Sequence, residues 1–231
     1  MDFKGKRQSE RKEKMKLILQ REILFWILLL SQFIFLEYFS DKIPSEIPSH
    51  WDFNGNPDSY SSKYLFPVLN SILYFVLLVI PRLDPRRESY SLFAGTYYKI
   101  RLALTLFFVL VFFGVCASYL GFIFSQAKFI FISILGLFTV LGNYMKTIRP
   151  NWFMGIRTPW TLENETVWKK THELGGKLFF YNGIIGIICC FFMELEILPF
   201  IVLVCILSAS FIPVIYSYFL FKKLSKATDK I

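Results

Sequence analysis

Two polar stretches of this chain hold most of the side chains able to do chemistry in water. The first runs from Ile43 to Lys63 and carries His50, Trp51, Asp52, Asp58 and Lys63. One imidazole and two carboxylates could ligate a cation, but their irregular spacing is not that of a metal site. Pro44 and Pro48 favour an extended start, while Asn54-Gly55 and Asn56-Pro57-Asp58 are turn chemistry. The stretch reads as a compact loop whose Trp51, Phe53 and Tyr60 cap the protein at interfacial depth. Its alternative use is to bind something at the surface. The second stretch, Arg149 to Gly176, carries Arg157, Thr158, Pro159, Trp160, Thr161, Glu165, Trp168 and His172. Thr158, Thr161 and Asn164 are candidate N-caps for a short helix reaching about Leu174. On that helix Glu165, Trp168 and His172 share one stripe, and Val167, Thr171 and Leu174 share the next. Trp152, Trp160 and Trp168 suit a segment at a membrane interface.

Catalytic motifs fail in this second stretch. His172-Glu173-Leu174-Gly175-Gly176 begins like a zinc-protease helix, but position 176 is glycine and the second ligand is missing. His172 as a general base has no nucleophile identified beside it. The expectation is a protein that is not an enzyme and needs no cofactor or metal. Cys116, Cys189, Cys190 and Cys205 all fall in apolar blocks, where they act as small apolar residues.

The elements that must position these stretches are apolar. Of 231 residues 55% are hydrophobic and 19% aromatic, and 27 are Phe. Long apolar blocks cover roughly 23–39, 65–80, 102–124, 129–145, 178–193 and 198–220. Each approaches or reaches the ~20 residues that a membrane-spanning helix needs. The chain is therefore expected to be all-α and polytopic, with six transmembrane helices. Residues 1–22 form a basic tail, and 23–83 hold two helices with the first polar loop between them. A connector follows at 84–101. A four-helix membrane domain spans 102–220 with the second polar loop at 146–177, and 221–231 form a basic tail. The apolar blocks contain no charged residue or His apart from Glu37 at the end of the first. That disfavours an ion-coupled transporter, which places ionisable groups near the midplane. Gln32, Asn70, Asn143 and Asn182 are expected to bond between helices, and Gly114, Gly121, Gly183 and Gly186 to be close-packing positions.

Charge sorting orients the six helices. Alternate connecting segments hold 23 Lys and Arg on one side and 3 on the other. The positive-inside rule then makes both termini and the 146–177 loop cytoplasmic, in a multi-pass membrane protein. The net charge of +9 is thus a matter of orientation and of contact with the lipid bilayer, with no direct role for nucleic acid.

The block Gly155-Ile-Arg-Thr-Pro-Trp-Thr-Leu162, with Glu165, Val167-Trp168 and Lys170-Thr171-His172, resembles the signature of the SdpI/YfhL family of bacterial membrane proteins. Ile47-Pro-Ser-His-Trp51, with Gly55, Pro57-Asp58 and Lys63, resembles the small N-terminal domain often joined to it. The resemblance implies immunity to a secreted, membrane-active toxin peptide, and a receptor role in which a cytoplasmic repressor protein is held at the inner face. His50, Trp51, Asp58 and Lys63 would then meet the peptide. Arg157, Thr158, Pro159, Trp160, Thr161, Glu165, Trp168 and His172 would bind the partner or hold a resting conformation. A small-molecule or lipid transporter or channel is the alternative.

Overall fold

The computed structural model describes residues 22–52 and 54–228. The N-terminal basic cluster and the Phe53 ring therefore lie outside the described residues. Helix α1 is described over residues 22–38. Strands β1 (Glu46–Trp51) and β2 (Pro57–Ser62) follow, then helices α2 (Leu65–Leu83), α3 (Ser89–Leu92) and α4 (Ala94–Ala117). A 3-10 turn at Ser118–Leu120 extends α4. Helices α5 (Gln126–Met145), α6 (Pro159–Glu163), α7 (Glu165–Phe192) and α8 (Leu198–Thr228) complete the chain. Among the described residues five helices are long and apolar enough to cross a membrane, namely α2, α4, α5, α7 and α8.

The all-α expectation needs correction, because the first polar loop is a β-hairpin. Glu46 pairs with Ser62, Ile47 with Ser61 and Pro48 with Tyr60, before a bulge shifts the register so that His50 faces Ser59. Asp52 closes the turn, its Oδ1 accepting the N–H groups of Asn54 (2.9 Å) and Asn56 (2.8 Å). Ile47 is fully buried and joins Leu36, Ile43, Val111, Phe112 and Val115 in one core cluster. Buried Ile47 and Pro48, with polar neighbours outside, anchor this short hairpin on the helical bundle. The turn at Gly55 lies against Leu195 and Ala127, so the hairpin sits over the α4–α5 and α7–α8 connections.

The second correction concerns the loop at 146–177. Helix α7 starts at Glu165 and runs unbroken to Phe192, so the short helix and the following span are one element. Gly175-Gly176 fails to end it because packing rewards small residues there. A Cβ on Gly142 of α5 would come within 2.7 Å of the Gly176 carbonyl oxygen. The two backbones approach too closely for side chains, as in helix pairs built on small residues. Asn164 caps α7, its Oδ1 accepting the N–H groups of Thr166 (2.9 Å) and Val167 (3.1 Å). Asn164→Ala is expected to destabilise the protein by about 1 kcal/mol, measured by thermal unfolding in detergent. Gly183 and Gly186 also meet α5 closely, whereas Gly121 is a left-handed turn residue with open space around it.

The third correction is Arg101, expected at the edge of the connector 84–101. Helix α4 begins at Ala94, which places Arg101 inside it and 6% exposed. Its guanidinium donates to both carboxylate oxygens of Glu22 on α1, at 3.0 and 2.8 Å. Tyr74 of α2 donates to the same carboxylate at 2.7 Å, and Phe25 lies 4.7 Å from the guanidinium carbon. This bidentate pair couples three helices, a geometry that favours arginine over lysine. Of the interior amides, Asn70 donates to Thr105 O and Asn182 to Cys205 O and Ser208 Oγ, each across a helix pair. Gln32 instead donates to Leu28 O within its own helix, and Asn143 is exposed.

Candidate functional site

At the end opposite the hairpin, residues 146–164 fold into a knot of backbone turns held by side chains. Asn151 is fully buried and works as an internal template. Its Oδ1 accepts from Phe153 N–H (2.9 Å) and Met154 N–H (2.7 Å), and its Nδ2 donates to Arg149 O (2.8 Å). Asp84, 2% exposed at the end of α2, ties the knot to the bundle. Its Oδ2 accepts from Trp152 N–H and Tyr90 O–H, both at 2.9 Å, and its Oδ1 from Arg86 N–H at 2.7 Å. Three donors thus converge on one buried carboxyl group. Burial first, and then the Asp84 carboxylate, push the Tyr90 phenol well above its ordinary range, so it remains a donor. Arg86 Nη2 reaches over to donate to Leu162 O at 2.9 Å.

His172 is the second anchor. Expected in an aqueous loop, its ring is completely buried on α7. Its Nε2 accepts the Ile156 N–H at 3.0 Å, which fixes the proton on Nδ1, and Nδ1 donates to Trp168 O at 2.8 Å. The ring stacks on the Trp168 indole, with centroids 4.1 Å apart. Trp168 in turn is 2% exposed and donates Nε1–H to Ile148 O at 2.8 Å. Gly155 passes directly over this ring at φ +100°, and a Cβ there would stand 2.2 Å from His172 Nε2. With both nitrogens occupied by backbone, His172 has no atom left for proton transfer. It is a structural clasp.

Thr158 and Thr161 form the third contact. The pair makes a reciprocal capping box at the start of α6, with Pro159 at its first position. Thr158 Oγ1 also meets Ser217 Oγ of α8 at 3.1 Å, and Thr161 Oγ1 donates to Ile156 O at 2.8 Å. Trp160 packs edge-on against Tyr218 of α8 at 5.2 Å. The structure thus gathers the eight expected residues of this segment but divides them. Thr158, Thr161, Trp168 and His172 are buried, whereas Arg157, Pro159 and Glu165 are exposed. Arg157 Nη1 donates to Trp152 O. Beside them opens a polar cleft of about 470 Å³ lined by Arg86, Arg149, Glu163 and Glu165.

At the hairpin end, His50 Nδ1 and Asp58 Oδ1 lie 2.6 Å apart across the strands, both well exposed. Trp51 faces an apolar cleft of about 290 Å³ whose wall includes Phe66, Phe107, Phe108 and Phe131. Lys63 is turned away, donating to Ile43 O at 3.4 Å. Lys63 and the His50–Asp58 pair therefore do not converge on one point. Among the described residues no group of three or more His, Cys, Asp and Glu could hold a metal ion. Asp84, Tyr90 and Asn151 were missed in the sequence. Only Asp84, directly before Pro85 at the end of an apolar block, gives even a faint signal, that of a helix stop.

These two ends are also where the chain resembles known proteins. Residues 27–73, containing the hairpin, match a domain of unknown function (DUF1648). The Immunity protein SdpI of Bacillus subtilis (strain 168) is 28% identical over 188 residues, covering 79% of this chain and 87% of that one. No solved structure gives a significant match. Residues 147–217, which contain most of the knot, His172 and Ser217, match the SdpI/YfhL protein family, so this multi-pass membrane protein has a segment similar to that family behind one similar to DUF1648.

Proposed function

We propose that this protein confers immunity to a secreted, membrane-active peptide toxin in the bacterial cytoplasmic membrane. The observation that carries the reading is the similarity to an immunity protein across 79% of the chain. The protein has six spanning helices, with α1 as the first and both termini cytoplasmic. This orientation puts the hairpin outside and the knot inside. The apolar cleft beside Trp51, rimmed by His50 and Asp52, offers an aromatic slot with polar groups at its edge. Such a slot suits an apolar side chain of an extended peptide. At the inner face the cleft between Arg86, Arg149, Glu163 and Glu165 is the surface for a cytoplasmic repressor protein. Arg157 and Glu165 contact that partner, while Trp168 and His172 keep the resting conformation. The geometry supports this division because a side chain 2% exposed offers a partner nothing to touch.

Expression in a peptide-sensitive bacterial strain tests the reading. Survival should rise against at least one peptide of a toxin panel, and Trp51→Ala should remove that protection while the protein still accumulates in the membrane. Unchanged killing across the whole panel, at confirmed membrane levels, overturns it.

A further inference from the structure

A second groove, which shares only Phe107 with the cleft beside Trp51, lies between α4 and α5. It encloses about 520 Å³ and is almost wholly apolar, lined by Leu106, Leu110, Ile132, Gly136 and Val140. One end is different. There the Lys99 ammonium stands 5.1 Å from the centre of the Tyr144 ring, and both residues line the groove. Among the described residues no carboxylate pairs with Lys99.

Three observations bear on what fills it. From Lys99 to Leu110 the α4 wall runs about 16 Å at 1.5 Å per residue. One leaflet of a bilayer's ~30 Å hydrocarbon core is about as deep. The cationic end is also the end that carries Lys146, Arg149 and the basic end of α8, the face toward anionic headgroups. Finally, Gly136 stands apart from the other glycines of α5 and α7. A Cβ there meets nothing within 4 Å, whereas the same atom at Gly142 or Gly183 would strike the neighbouring helix. The missing side chain at Gly136 thus leaves room in the groove instead of permitting helix contact.

We propose that this groove binds one anionic glycerophospholipid, an acyl chain lying along Leu106, Ile132 and Gly136 with the phosphate at Lys99 and Tyr144. The site is distinct from the peptide and partner surfaces and stands or falls without them. Lipid alone, with no toxin, is the ligand.

Native mass spectrometry of the purified full chain, titrated with phosphatidylglycerol or with phosphatidylcholine of identical chains, tests it. One phosphatidylglycerol should bind more tightly than phosphatidylcholine. Lys99→Gln should weaken it about fivefold, the fold-change given by the roughly 1 kcal/mol attraction of one lysine to an anionic lipid surface. Gly136→Leu fills the groove and should abolish the tight site, with an unchanged circular dichroism spectrum. Lys222→Gln, at the same basic end but outside the groove, should change nothing. If Gly136→Leu misfolds, Ser133→Leu fills the same wall and gives the same reading. Equal affinity for both lipids, tight binding that survives Gly136→Leu, or an equal loss in Lys222→Gln would overturn the proposal. So would a wild-type protein whose groove is closed by a second copy, seen as a lipid-free dimer that Gly136→Leu dissociates.

Discussion

Gly155→Ala is expected to destabilise the folded protein by about 3–5 kcal/mol. Two penalties combine. The backbone at φ +100° is strained for any residue with a Cβ, and the new methyl would stand 2.2 Å from His172 Nε2. The loop cannot lift without breaking the Ile156 N–H bond to that same nitrogen. A buried donor left unpaired costs about 1–3 kcal/mol. The expected readout is a fall in detergent Tm of about 2–4 °C per kcal/mol for a chain of this size. The double variant Gly155→Ala with His172→Ala separates the causes. If the collision with the ring dominates, the pair should be less damaging than the sum of the singles. Strict additivity would mean that φ strain alone acts.

Asp84→Ala is expected to cost about 2–3 kcal/mol, because it removes the acceptor from one buried and two partly buried donors at once. Tyr90 O–H and the N–H groups of Trp152 and Arg86 lose their partner together. Asp84→Asn keeps the shape and one acceptor oxygen, so it should recover about half of the loss. Thermal unfolding of both variants in one detergent gives the comparison. An alanine variant as stable as wild type would show that water reaches these donors. The effect should also reach the polar cleft beside Glu163 and Glu165, since Arg86 holds Leu162 and the Trp152 N–H ties the start of the knot to Asp84. Limited proteolysis between Arg149 and Thr158 should therefore become faster in Asp84→Ala than in Asn164→Ala, which loosens only the α7 cap.

Much of the architecture is local and could be read from the chain. A block of about twenty apolar residues has few fates besides a spanning helix, so α2 and α5 were anticipated to within a turn and α4 and α8 to within about two turns, whereas α7 begins more than three turns before its apolar block. The cap residues Thr158 and Asn164 were legible for the same reason, since a cap is a contact over two or three residues. The hairpin was within reach through Asn54-Gly55, but its strands are short and only Ile47 and Pro48 of β1 are buried, so the alternation was too brief to register.

The membrane character, the places of most long helices and the two polar stretches were readable from the chain alone. Tertiary structure alone decided what the polar residues there do. His172, Trp168 and Asp84 are chemically versatile groups, and only their distant neighbours Ile156, Ile148 and Trp152 show that their bonding atoms are already committed to backbone. The Arg101–Glu22 pair likewise joins residues 79 positions apart. A hydrogen bond across such a separation leaves no periodic trace in the chain, because it depends on where helices meet and not on how each one repeats.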